Sequence, residues 1–473
     1  MASRRLVRHL SSPSADRSLA MKFGTDGVRG AANTELTVDF ALNLGRAAAR
    51  VLSRLGDDSD DSNDSGSIDR TPRAIVVLGG DTRESTPMFR AALGAGFASE
   101  GVDVIDMVTA TTPLVAFEAQ RLGAMGAVIS ASHNPFGDNG IKLFAPGGTK
   151  LPDDVEAQIE AALDVLGNPG ASIGRIGVHH DSTHYVEHVL AMLGGRDLSG
   201  MKVVLDTAHG AGTAVAPDVL RASGAEVIVI ANEPDGRNIN AGCGATYPEF
   251  VAAAVLEHGA DMGVALDGDA DRLIAVDHTG SVVDGDHIIA ICAADLRARG
   301  QLANDTVVVT VMTNLGFRLA MEAAGIHVVE TGVGDRYVLE ALALGGHSLG
   351  GEQSGHVIFA DHATTGDGLL TAVALIDIVK RSGTTLEAIA SQAMTSLPQV
   401  LVNVRVGERV PDVAVRLGDE IAAVEAELGA TGRVLVRASG TEPLIRVMVE
   451  AATAERAQAA ADQLAAAAHA RFG

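Results

Sequence analysis

The feature that most constrains this chain is a recurrence of short apolar runs and helical segments. From Ala74 the order is strand to Leu78, helix Pro87 to Glu100, strand Val102 to Met107, helix Pro113 to Leu122, and strand Ala124 to Ile129. The pattern returns as strand Val203 to Leu205, helix Val215 to Ala222, strand Glu226 to Ile230, helix Phe250 to His258 and strand Met262 to Leu266. It returns again through helix Ile288 to Arg299, strand Thr306 to Val311, helix Leu315 to Ala324, strand Val328 to Thr331 and helix Tyr337 to Leu344. Alternation of this kind predicts parallel or mixed sheets with function at the strand ends. Three units of about a hundred residues predict three similar mixed-sheet α/β domains, repeated in pattern and not in sequence identity.

After a helix at Leu369 to Lys380 the rhythm changes. Strand Val400 to Val406, helix Val413 to Leu428, strands Val434 to Val436 and Leu444 to Val449, and helix Ala454 to Arg471 predict a C-terminal α+β domain. Expected divisions are a disordered extension at 1–20 and domains at 21–175, 176–281, 282–385 and 386–473. Aromatic residues make up only 3% of the 473 and Trp is absent, so the cores must be aliphatic. The net charge of −24 argues against nucleic acid or an anionic membrane as partner. Arginine and lysine must therefore be concentrated wherever an anion binds.

Cys243 and Cys292 stand far apart, without metal-ligand spacing, which fits a reducing cytoplasm. Residues Met1 to Ala20 carry Arg4, Arg5 and Arg8 with no acid before Asp16, a transit-peptide-like composition lacking an apolar core. A disordered extension, or a start upstream of the natural one at Met21, is favoured over a targeting signal. Asp57 to Asp69 is acidic and Ser-rich and reads as a solvated loop.

Chemistry concentrates in loops. Ser130-Ala131-Ser132-His133-Asn134-Pro135 leaves a buried strand, runs through a Gly-containing loop at Phe136 to Gly140, and is followed by Lys142. A serine needs such neighbours to handle protons and anionic charge; the competing reading is an ordinary polar turn. In Asp267-Gly268-Asp269-Ala270-Asp271-Arg272, alternation in an extended segment would aim three carboxylates at one hard cation. Mg²⁺ is favoured, with a phosphorylated Ser132 completing its shell. An acidic turn and a calcium loop are the alternatives, and the calcium loop lacks a closing Glu. Arg437, Ser439, Gly440, Thr441 and Arg446 suit a phosphate, against a plain hairpin turn with surface arginines. Glu352, Ser354 and His356 alternate and could face a sugar, or form a buried turn. Phe23 to Gly30, with three glycines and Arg29, could approach a phosphate or be a simple turn.

In this order the loops resemble those of the α-D-phosphohexomutase superfamily, over nearly the whole chain from about Met21. Phe23 to Gly30, and Gln353 within Gly351 to His356, are similar to its bacterial phosphoglucosamine mutase branch; relatives acting on mannose or glucose phosphates more often carry Met at the position of Gln353. Ala438 departs from the pattern, where many members have Pro, and the extension and acidic insert have no counterpart. The resemblance implies four domains around a central active-site cleft, each giving one motif. It implies a phosphorylated Ser132 with Mg²⁺ on Ser132, Asp267, Asp269 and Asp271. It also implies charge stabilisation and proton transfer by Arg29, His133, Lys142, Arg272 and His356. Glu352, Gln353 and Ser354 would bind the sugar, and the Arg437 to Arg446 cluster its non-reacting phosphate. The implied reaction is glucosamine 6-phosphate to glucosamine 1-phosphate, with glucosamine or glucose 1,6-bisphosphate as activator, in a cytoplasmic enzyme for which a homodimer is the family expectation. A mutase for glucose or mannose phosphates, a phosphatase with an Asp267-loop nucleophile, and a non-catalytic sugar-phosphate sensor are the other readings.

Overall fold

The computed structural model describes residues 22–24, 26–55, 73–439 and 443–473. The extension at 1–20 and the acidic insert at 57–69 lie outside the described residues. The strands number β1 (Val28–Ala31), β2 (Ile75–Gly80), β3 (Asp103–Thr109), β4 (Met125–Ile129), β5 (Asp138–Ala145), β6 (Thr149–Lys150) and β7 (Ile176–Val178) in the first sheet. Its order is β1-β5-β4-β2-β3-β7, with β6 on β5. The β2, β3, β4 and β7 pairings are parallel, whereas β5 runs antiparallel to β1, β4 and β6.

The second sheet holds β8 (Lys202–Asp206), β9 (Glu226–Ile230), β10 (Met262–Leu266), β11 (Leu273–Asp277) and β12 (Val282–Val283), in the order β12-β11-β10-β8-β9. The third holds β13 (Thr306–Thr310), β14 (His327–Thr331), β15 (Leu349–Gly351) and β16 (Val357–Phe359), ordered β14-β13-β15-β16. These three mixed sheets, with their helices, form three α/β domains. The last sheet is wholly antiparallel, β17 (Gln399–Arg405), β19 (Leu444–Glu450) and β18 (Arg433–Ala438) in that spatial order, covered by the helix Ala454–Phe472.

Strands β2, β4, β8, β10 and β13 are buried almost throughout, as continuous Val, Ile and Leu runs require when helices cover both faces. One aliphatic core runs from Val77 to Met394 and joins the first three domains, each of which also closes a smaller core of its own. The fourth domain has its own core, built on Val413, Ile445, Val447 and Leu464.

Several expectations need correction. Asp138 to Gly140 is not loop: it begins β5, a long interior strand, because the residues after Pro135 pair with both β1 and β4. Strand β7 lies beyond the expected boundary at 175 but extends the first sheet, pairing parallel with β3. The helix Leu386–Ala393, assigned to the fourth domain, packs against the helix Gly285–Ala298 and buries Leu386 and Ala390 in the shared core. The helix expected from Val413 to Leu428 breaks at Leu417, between Val413–Arg416 and Gly418–Leu428.

Candidate active site

Ser132 follows β4 with a backbone φ of 52°, a left-handed conformation that costs a non-glycine residue on the order of 1–2 kcal/mol. The surroundings hold it there. Its N–H donates to Ser130 Oγ at 2.9 Å, and Ser130 Oγ donates to Asp81 Oδ2 at 2.6 Å. Its carbonyl accepts from Arg83 at 3.1 Å and from Asn240 Nδ2 at 2.9 Å, one donor from each of the first two domains. A Cβ at position 268 would stand 2.4 Å from that carbonyl oxygen, so Gly268 is what lets the second domain's loop close onto the serine. Ser132 Oγ donates to Asp267 Oδ2 at 2.6 Å and lies 3.2 Å from His133 Nδ1.

The three aspartates follow β10 in a turn, with Ala270 at φ 60°, and not in an extended segment. The carboxylates converge as expected, through a turn and not through extended alternation: their ligand atoms lie within 4.8 Å of one another. All three are buried. Burial, reinforced by Asp271 and Asp269, pushes Asp267 well above the usual carboxylate range. Asp269 Oδ1 and Asp271 Oδ1 have no hydrogen-bond partner. Orphaned carboxylate oxygens converging without nitrogen or sulfur ligands fit a hard divalent cation.

Cations surround the triad. Lys142, buried on β5, places Nζ 2.8 Å from Asp269 Oδ2, 2.9 Å from Asp271 Oδ2 and 3.0 Å from Asp26 Oδ2. Burial alone would lower its pKa, but Asp26, Asp269 and Asp271 hold it well above the usual lysine range. Arg29 pairs with Asp26, and Arg272 Nε lies 3.9 Å from Asp271 Oδ1. Burial, then Arg272 and Arg29, push the His133 imidazole down to about 4, so it is neutral near pH 7. Thr112 Oγ1 donates to Asp269 Oδ2 at 2.6 Å. That threonine opens the helix Thr112–Leu122, capped by the Thr111 side chain and ended by Gly123 at φ 59°.

Asp26, Arg29, Asp271, Arg272, Glu352 and His356 line one cavity of about 410 Å³. The loop from Glu352 to His356 is a tight turn between β15 and β16, closed by Glu352 N–H to His356 O at 2.9 Å, and of its alternate residues Glu352 and His356 line the cavity. Glu352 accepts from Gly334 N–H at 3.2 Å, and His356 Nδ1 is 3.7 Å from Asp271 Oδ1. Ser354 is exposed, and Gln353 donates to Asp284 Oδ2 at 3.3 Å at the start of the helix Gly285–Ala298.

Arg437 and Arg446 face each other across β18 and β19. Burial and the charge of Arg446 lower the pKa of Arg437. Ser439 is buried and its N–H donates to Leu444 O at 2.8 Å. Gly440 and Thr441 lie outside the described residues. Among the described residues no hydrogen bond or ion pair joins Arg437 or Arg446 to the serine loop. Sequence reasoning missed Asp26, Asp81, Arg83, Thr112 and Asn240. Asp26 stood in the glycine-rich stretch Phe23 to Gly30 already singled out, and Asp81 and Arg83 follow the glycines that end β2; Thr112 and Asn240 carried no local signal.

Models of the phosphoglucomutase/phosphomannomutase family match in chain order: α/β/α domain I at 20–168, domain II at 183–280, domain III at 284–397 and the C-terminal domain at 401–467. The chain belongs to this family of phosphohexomutases. Phosphoglucosamine mutase of Streptomyces avermitilis is 52% identical to it over 459 residues, 94% of this chain and 97% of that protein. The phosphoglucosamine mutase of Thermobifida fusca is 53% identical over 448 residues, with the same coverage. In fold it resembles a phosphoglucomutase/phosphomannomutase family protein from Burkholderia thailandensis, with TM-score 0.78, 23% identity and coverage of 95% of this chain and 97% of that one. It also resembles Aspergillus fumigatus N-acetylphosphoglucosamine mutase, solved with GlcNAc-6P and magnesium, with TM-score 0.65, 18% identity and 96% of each chain.

Proposed function

We propose that this enzyme interconverts glucosamine 6-phosphate and glucosamine 1-phosphate through a phosphorylated Ser132 and a 1,6-bisphosphate intermediate, feeding UDP-N-acetylglucosamine synthesis in the cytoplasm. The observation that carries the reading is the 2.6 Å contact between Ser132 Oγ and a buried Asp triad, ringed by Arg29, Lys142 and Arg272. In the first half-reaction the Oγ–P bond of phosphoserine breaks as the sugar O1 bonds to phosphorus, and the O1 proton passes to the enzyme. Lys142, held charged by three acids, serves the phosphoryl oxygens, and Lys142 and His356, both against the Asp triad, are the proton-transfer candidates. The bisphosphate turns over in the cleft. Ser132 Oγ then attacks the 6-phosphate and gives up its proton beside neutral His133, while O6 leaves and is protonated.

Asp267, Asp269 and Asp271, with the phosphoserine oxygen, would hold Mg²⁺, which offsets charge on the moving phosphoryl group. Glu352 binds sugar hydroxyls. Arg437, Ser439, Gly440, Thr441 and Arg446 anchor the phosphate that is not reacting, a role that needs the fourth domain to close on the cleft. Among the described residues no helix is long and apolar enough to cross a membrane. A homodimer belongs to the same reading, on the family resemblance alone.

The test is a coupled assay with Mg²⁺ and a trace of glucose 1,6-bisphosphate, offering glucosamine 6-phosphate, glucose 1-phosphate and mannose 1-phosphate separately. Glucosamine phosphate should be preferred, and Ser132→Ala should lower kcat/KM by a factor on the order of 10³ or more. Preference for glucose or mannose phosphate would move the substrate. Phosphate release without isomerisation, or full activity in the variant, would overturn the mechanism.

A further inference from the structure

Three consecutive residues of the third domain, Gly334, Asp335 and Arg336, sit at the start of the helix Asp335–Gly345 and make three different connections. Gly334 N–H donates to Glu352 Oε1 at 3.2 Å. Asp335 Oδ2 stands 3.6 Å from His356 Nε2 and pairs with Lys150 of the first domain. Arg336 donates to Glu156 Oε1 at 2.6 Å and pairs with Asp153, both on the helix Asp153–Asp164 of the first domain. The two pairs across the seam have opposite polarity. An acid of the third domain meets a base of the first, and the next residue, a base, meets acids. A shift by one residue would set like charges together, so the clasp specifies register as well as attraction.

The connection continues through the first domain. Lys150 Nζ lies 3.1 Å from Asp26 Oδ1, Asp26 Oδ2 lies 3.0 Å from Lys142 Nζ, and Lys142 Nζ lies 2.9 Å from Asp271 Oδ2. Asp271 then meets His356, which closes a ring of alternating acids and bases through three domains. The side chains of Lys150 and Asp335 are 13% and 10% exposed and those of Arg336 and Glu156 are 9% and 11% exposed, so these two pairs, unlike Arg336 with exposed Asp153, are not the solvent-screened contacts that contribute nothing measurable. Lys150 and Arg336 line a different cavity, of about 590 Å³, beyond the seam from the cleft.

We infer that Lys150 is a positioning residue for the reaction proposed above: through Asp335 it sets where His356 stands against Ser132, and the Arg336 pairs lock that setting. Without Lys150, Asp335 keeps His356 as its one remaining basic partner among the described residues, and the imidazole is drawn from Asp271 toward Asp335. Displacement of about 1 Å at a reacting group can cost up to about a hundredfold in rate.

The experiment compares Lys150→Met, Lys150→Arg and Arg336→Ala in the full chain. Lys150→Met should lower kcat by about tenfold or more with KM changed by less than about twofold, because the phosphate cluster of the fourth domain is untouched. Lys150→Arg should return kcat to within about threefold. An unchanged kcat per phosphorylated Ser132, with only stability lowered, would reduce Lys150 to a structural role and overturn the inference. Hydrogen exchange on substrate-free protein decides the clasp independently of the substrate: residues 351–357 should exchange faster in Lys150→Met and in Arg336→Ala, and unchanged exchange in both overturns it. A wild-type protein inactive on glucosamine phosphate would instead sink the proposed function and leave the exchange result standing.

Discussion

At the scale of single residues the site is a set of groups held in states they would avoid alone. Ser132 is left-handed, Asp267 is buried among like charges, and Lys142 is buried among three acids. Each tolerates its state because of the others, and a divalent cation at the triad would offset the like charges of the second domain's loop. Mg²⁺ should therefore raise the melting temperature of the wild-type protein saturably, by the equivalent of about 2.7 kcal/mol at a hundred times its dissociation constant. Asp269→Asn should lose most of that rise while melting no lower than wild type in EDTA, since one buried like charge is gone. Thermal melts with and without metal check both; an equal rise in the variant counts against the triad as the ligand set. Ser132, Lys142, the triad and His356 were legible as residue types in loops. Their partners Asn240 and Thr112 were not, because they come from other domains and only packing brings them near.

At the scale of elements, the start of the helix Gly285–Ala298 shows burial overriding a favourable position. Asp286 stands in the first turn, where the helix dipole favours an anion, yet burial pushes its carboxyl up to about 7 from the usual 3.8. Its Oδ2 accepts from Asn314 N–H at 2.8 Å, and Oδ1 has no partner. Between pH 4 and 7 the folded state holds a proton that the unfolded chain has released. Stability from this group is thus present at pH 4, falls as pH rises toward 7, and is flat above. Relative to Asp286→Asn, wild type should lose up to roughly 4 kcal/mol between pH 4 and pH 8. Urea titrations at several pH values measure it, and parallel stability curves would refute it. Elements themselves were readable where aliphatic runs were long, as in β10, whose bounds agree with Met262 to Leu266. Short strands such as β7, β12 and β15 escaped, because two or three residues carry no periodicity and exist through their pairing partners.

At the scale of the molecule, three domains share one core while the fourth keeps its own. The fourth is attached through polar contacts. Arg433 pairs with fully buried Glu450 at 2.8 Å and donates to Val311 O at 3.1 Å, while Glu450 accepts from Leu315 N–H at 3.0 Å. Asn314 exchanges two hydrogen bonds with the Leu397 backbone at the linker, both at 2.9 Å. Arg433→Met would strand Glu450, at a cost of about 3–5 kcal/mol. Calorimetry should then show the fourth domain melting ahead of the other three. A single transition at the wild-type temperature would mean that these contacts do not hold it.

The sequence alone determined the four-part plan, the aliphatic cores, and which loops carry hydroxyl, carboxylate and guanidinium groups, because strand and helix periodicity and residue chemistry are local properties. Only the tertiary structure decided that the aspartates converge through a turn, that Lys142 sits on an interior strand, and that Gln353 turns to Asp284 instead of lining the cleft. It alone revealed the clasp from Gly334 to Arg336 onto Lys150 and Glu156, because those residues lie more than 170 positions apart and meet only when the domains pack.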